Sequence, residues 1–180
     1  MTRREPIDDE QECAFWRTGA QPEAVMGRRR ILIGHADDAI GSSISLLLRL
    51  KNYQVNHASE ISKLGRYVES RRPHALLLDT RLDAASHYAF VRAIRNDDQK
   101  GDMLILAMSN IFPLDSVPNL KAAGFDGHVR RPCSVWRVGD LMDGHFGRGE
   151  DLAILQSPPF RMSDRFRTTC QLGRNVETSV

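Results

Sequence analysis

Three residues of this sequence have the types needed to handle a phosphoryl group. Asp79 ends the apolar run HALLLDT, Ser109 ends a second run, MLILAMS, and Arg131, followed by Pro132, ends a third, GHVRRP. A carboxylate can attack phosphorus, a hydroxyl can hydrogen-bond one of its oxygens, and a cation can neutralise the charge that gathers there. The chemistry requires that the ends of these three runs meet in space.

The pattern around them supplies a way. Ile31 to Gly34 reads as a buried strand, and Ile40, Ile44, Leu47 and Leu48 recur at helical spacing up to Lys51-Asn52. Val55 to His57 is a short second strand, and Ser59 is placed to cap a helix through Ile61, Leu64 and Val68 that stops at Arg72-Pro73. Ala75 to Leu78 is too continuously apolar for a half-exposed strand. Tyr88, Val91 and Ile94 mark a third helix, Leu104 to Met108 a fourth strand and His128 to Arg130 a fifth, with a last helix through Val135, Val138, Leu141 and Met142. Prolines 113 and 118 predict a short fourth helix beginning near Pro118, since an interior proline costs a helix about 3 kcal/mol. Strands alternating with helices predict an α/β fold, a doubly wound five-stranded parallel sheet covered on both faces. Ligands of such sheets bind beyond the carboxyl ends of the strands, where Asp79 and Ser109 lie and just before Arg131.

The 180 residues allow one ordinary domain with tails: an irregular acidic extension over 1–27, a domain over 28–145 and a poorly ordered tail over 146–180. Met26 offers an alternative translation start. A net charge of +2 argues against nucleic acid as a partner. No apolar stretch approaches the ~20 residues of a membrane span, and residues 1–13 lack a signal-peptide core, so a cytoplasmic protein is expected. Cys13, Cys133 and Cys170 have neither zinc nor disulfide spacing and read as free thiols.

Order, spacing and residue type over residues 29–143 resemble the receiver domains of two-component response regulators. DTRLDAASHYAFVRAIR is similar to the family's third strand, phosphorylation loop and third helix, ILAMS to its fourth strand, and AAGFDGHVRRP to its fifth strand and Lys-Pro. The resemblance implies a CheY-like, flavodoxin-like fold with strand order 2-1-3-4-5. It makes Asp79 the phosphoacceptor, has Ser109 and Arg131 contacting the phosphoryl group, puts His128 at the switch position and makes the Arg131-Pro132 bond cis. It also implies phosphorelay signalling, a histidine kinase or other signalling protein as partner, and room for a homodimer.

The departures lie in the chemistry. The family's acidic pair, which holds magnesium, falls on His35 and Ala36. Asp37, Asp79 and the backbone carbonyl of Arg81 make a poor octahedral set, so Mg2+ binding is expected to be weak. Asp83 and Ser86-His87 replace a usual proline and Asp-Gly, and a half-exposed edge position is expected for His128. Ile111 and Phe112, before the short fourth helix, are expected to offer an apolar contact surface. The sequence thus reads as an atypical single-domain response regulator that acts by protein–protein interaction and is not an enzyme. The alternative is an enzyme or ligand-binding protein on a flavodoxin-like scaffold, against which stand the missing Gly-rich phosphate loop and nucleophile–base pair.

Overall fold

A computed structural model of the chain describes residues 13–16, 27–109, 115–131 and 134–146. These form a six-stranded sheet flanked by five helices. In chain order the strands are β1 (Cys13–Phe15), β2 (Arg30–Gly34), β3 (Gln54–Ala58), β4 (Ala75–Asp79), β5 (Leu104–Ser109) and β6 (Gly127–Arg130). The helices are α1 (Asp38–Leu50), α2 (Ile61–Arg71), α3 (Ala89–Arg95), α4 (Val117–Ala123) and α5 (Val135–Phe146).

The sheet order is β1-β6-β5-β4-β2-β3. The five parallel strands therefore follow the expected winding, with the first parallel strand, β2, between β3 and β4. The expectation is corrected at one edge, where Cys13–Phe15 pairs antiparallel with β6, opposite residues 127–129. A segment read as irregular is a strand because the bare edge of β6 supplies partners for its backbone groups.

Period-two alternation divides the core cleanly. Leu32, Leu76, Leu78, Ile105 and Ala107 pack with Leu64, Val68, Val91, Ile94 and Leu120 on the α2–α3–α4 face. Ile31, Ile33, Leu77, Leu104 and Leu106 pack with Ile44, Leu48, Val138 and Met142 on the α1–α5 face. Each fully buried Leu or Ile is worth roughly 1.5–3 kcal/mol, so these two layers fix where the strand ends lie.

Several local expectations need amendment. Ile40 is 47% exposed, and the buried stripe of α1 is Gly41, Ile44, Ser45 and Leu48 instead. At Gly41 an added Cβ would run into the His57 ring, so a side chain there requires that ring to move. Glu60, not Ser59, precedes α2 and makes no side-chain cap, while Arg72 ends the helix in the left-handed region. Tyr88 lies outside α3 at φ 61°, where Asp83 caps the helix by accepting from the amides of Phe90 (3.1 Å) and Val91 (3.3 Å). Helix α4 starts one residue before Pro118, as its missing N–H allows.

His128 is corrected most. It is buried at 1% exposure because β1 closes the edge beside it and Trp16 packs over it at 5.6 Å between ring centroids. Trp16 also donates Nε1–H to the Phe125 carbonyl at 2.7 Å, and Lys121 stands over its ring at 5.2 Å. Ile111, Phe112, Pro132 and the stretch after residue 146 lie outside the described residues, as do Cys133 and Cys170.

Candidate functional site

Asp79 is the last residue of β4 and is fully buried. Its position follows from the preceding ALLL run, which is held between β2 and β5 and delivers the carboxylate to the sheet's carboxyl edge. Ser109 ends the neighbouring β5, equally buried, and its Oγ has no hydrogen-bond partner among the described residues. Arg131 follows β6, its amide donating to the Ser109 carbonyl at 2.7 Å. Its Nη1 reaches Asp79 Oδ1 at 2.9 Å. The structure thus brings the three sequence-predicted residues to adjacent strand ends, with carboxylate and guanidinium in direct contact.

A fourth participant was not legible as a side chain. Directly after Asp79, a 3-10 turn over Thr80–Leu82 brings the Arg81 amide to 3.0 Å from Asp79 Oδ1. The same turn folds the Arg81 guanidinium back onto the carboxylate. Nε donates to both oxygens, at 3.2 and 3.0 Å, and Nη2 to Oδ2 at 2.6 Å. Ala36 N–H completes the ring at 3.3 Å from Oδ2. Asp115 braces this turn from behind by accepting from Thr80 Oγ1 at 2.7 Å and from the Tyr88 hydroxyl. Since Asp115 lies 35 residues from Thr80, no local spacing announces that brace.

The electrostatics follow from this arrangement. Burial pushes the Asp79 carboxyl up, but the hydrogen bonds from Arg81, the charge of Arg131 and the Ala36 amide outweigh it and hold the group below its ordinary value. His35 sits with Nε2 3.7 Å from Asp79 Oδ2. Burial lowers its pKa; Asp79 opposes that, while Arg81 and Arg131 add to it. A neutral imidazole at pH 7 is the result.

These residues do not fit a magnesium ion. Ala36 has no donor, and Asp37 spends its carboxylate capping α1, accepting from Ala39 at 2.9 Å and Ile40 at 3.2 Å. His35 offers nitrogen, a poor ligand for this hard cation, and its Nδ1 is engaged with the Asp37 backbone. Arg81 sets a guanidinium against the buried Asp79 carboxylate. No group of three or more metal-ligating side chains occurs among the described residues.

Stability should respond to acid. The pKa values of His35, His74 and His145 are all lowered, in each case chiefly by burial. Below the ordinary histidine value the unfolded chain binds protons that the folded chain refuses, so stability rises with pH in that window. The urea midpoint is expected to drop as pH falls from about 7 to about 5, with His35→Gln flattening the profile. Asp79 acts in the same sense lower down. Its contribution is present above the ordinary carboxylate value and is lost as pH falls through the depressed one. A midpoint that stays constant between neutrality and the histidine range would contradict this account.

No protein-family model and no curated protein matches the sequence. Solved structures do match in fold. The chemotaxis response regulator CheY4 of Vibrio cholerae is 18% identical, with a TM-score of 0.59 over 65% of this chain and 98% of its own. The receiver domain of a sensor histidine kinase from Pseudomonas aeruginosa, solved with magnesium coordinated in its active-site cleft, is 21% identical at TM-score 0.59, over 67% and 99% of the two chains. A two-component response regulator from Clostridium difficile is 18% identical at TM-score 0.58, over 72% and 100%. No described helix is long and apolar enough to cross a membrane. The chain thus has the CheY-like receiver fold, extended by one antiparallel strand, with Asp79 buried at the carboxyl end of its central strand.

Proposed function

We propose that this protein is an atypical response regulator of two-component signalling, cytoplasmic and without enzymatic activity of its own, that acts by binding other proteins. Asp79 takes the phosphoacceptor position, Ser109 and Arg131 flank the phosphoryl group, and His128 takes the switch position. The observation that supports this best is the meeting of Asp79, Ser109 and Arg131 at neighbouring strand ends of a receiver fold. A docking partner would be a histidine kinase or another signalling protein, with Ile111 and Phe112 offered as contacts.

Titrating the isotope-labelled protein with the phosphotransfer domains of histidine kinases from the same cell tests the reading. Saturable shifts clustered around the carboxyl ends of β2, β4 and β5 are expected from one of them. If every such domain leaves the spectrum unchanged, the reading fails.

The site also sets an expectation for metal. Magnesium should bind at least about an order of magnitude more weakly than in a receiver with an acidic pair, since the site lacks the charge and oxygen ligands that the ion requires. Restoring the pair with His35→Asp and Ala36→Asp should recover affinity only when Arg81→Ala is added, because the guanidinium stands on the remaining ligand. Amide shifts at Asp79 that saturate below about 1 mM magnesium in the unaltered protein would refute this.

A further inference from the structure

The site around Asp79 contains its own cations. Among the groups in contact there, Asp79 contributes one negative charge, Arg81 and Arg131 one positive charge each, and His35 none. An incoming divalent cation meets repulsion, whereas an incoming anion meets two guanidiniums, the Ala36 amide and the unpartnered Ser109 hydroxyl. Arg131 is held inside at 14% exposure, while Arg81 is 53% exposed and enters from the solvent side. Arg81 can therefore turn from the carboxylate to the oxygens of a bound group without disturbing the core.

We propose that Arg81 supplies from within the chain the positive charge that a divalent ion would bring, so that this site takes up a phosphoryl group without metal. The proposal rests on the reading of Asp79 as the phosphoacceptor. With acetyl phosphate as donor, an Asp79 carboxylate oxygen attacks phosphorus. The new oxygen–phosphorus bond forms as the bond to the acetyl oxygen breaks, and its electron pair departs with acetate. Three negative charges enter and three remain, two on the aspartyl phosphate and one on acetate, with no proton moved. Arg81 and Arg131 hold the equatorial oxygens as charge spreads over them, and Ser109 donates to one. The planar fork of Arg81, already shown gripping two oxygens of Asp79, matches two oxygens of a phosphoryl group equally well.

The test incubates the full chain with acetyl phosphate, in excess EDTA and separately in magnesium, and weighs the intact protein over time. Adduct formation in EDTA within about twofold of that in magnesium is expected, with none in Asp79→Asn. Arg81→Gln should slow the metal-free reaction on the order of a hundredfold, and Arg81→Lys, which keeps the charge but loses the fork, should fall between. Circular dichroism checks that both variants fold, as the half-exposed side chain should allow. An adduct that forms only with magnesium, or one indifferent to Arg81→Gln, overturns the role of Arg81 while leaving Asp79 as acceptor. No adduct under either condition overturns the acceptor reading and this proposal with it.

Discussion

Asp126→Ala is expected to cost the domain about 3–5 kcal/mol, a large part of the roughly 5–15 kcal/mol that holds such a domain together. Asp126 is 4% exposed and accepts the Ile105 amide at 2.7 Å as well as the Arg95 guanidinium. Arg95 in turn donates to the carbonyls of Gly101 (2.7 Å), Met103 (2.8 Å) and Gly124 (2.6 Å). One buried ion pair thus ties α3 to the start of β5 and to the turn before β6. Removing the carboxylate leaves an amide unsatisfied and a confined guanidinium short of its counter-charge. The melting temperature should fall by about 10 °C or more. Asp126→Asn, which keeps an acceptor for Ile105, should lose distinctly less. A loss below about 1 kcal/mol for the alanine variant would show that the pair contributes no more than an exposed one.

Gly127→Val should detach β1. A Cβ at this position would stand 2.5 Å from the Ala14 carbonyl oxygen, 3.3 Å from the Phe15 Cα and 2.9 Å from Leu106 Cδ2. Two of these neighbours are backbone of β1, so the strand must leave rather than adjust. Hydrogen exchange of β6 amides that face β1 should accelerate about tenfold or more, while those paired with β5 stay protected. Trp16→Ala, which removes the Nε1–H bond to Phe125 without touching Leu106, should reproduce the effect and separates it from damage to the core. Unchanged exchange in both variants would mean that β1 does not protect the edge.

What the sequence disclosed and what it hid divide along a physical line. Five strands were legible because runs such as ALLL and LILAM are too apolar to sit anywhere but in a sheet covered on both faces. Asp79, Ser109 and Arg131 were legible because parallel strands, all running one way, deliver their last residues to one edge. The Arg81 side chain was not, since its direction depends on a 3-10 turn whose brace, Asp115, is remote in sequence. Strand β1 escaped because three residues carry no periodicity, and its reason to be extended lies in β6. The burial of His128 escaped with it, as its exposure depends on whether the edge beside it is paired.

That terminal strand also orders events in time. Trp16 and Phe125, which bond in the finished sheet, are 109 residues apart in sequence. A ribosome therefore releases β1 long before the turn and strand that receive it. Closing a loop of that length costs entropy that grows only slowly with length, but the closure cannot begin until β6 exists. Every newly made copy consequently passes through an interval in which four parallel strands can pair while β1 has nowhere to dock, followed by one in which the edge of β6 is bare. An unpaired edge at that moment is a template for any extended segment nearby. The return of Cys13–Phe15 to β6 closes that edge with this chain's own backbone.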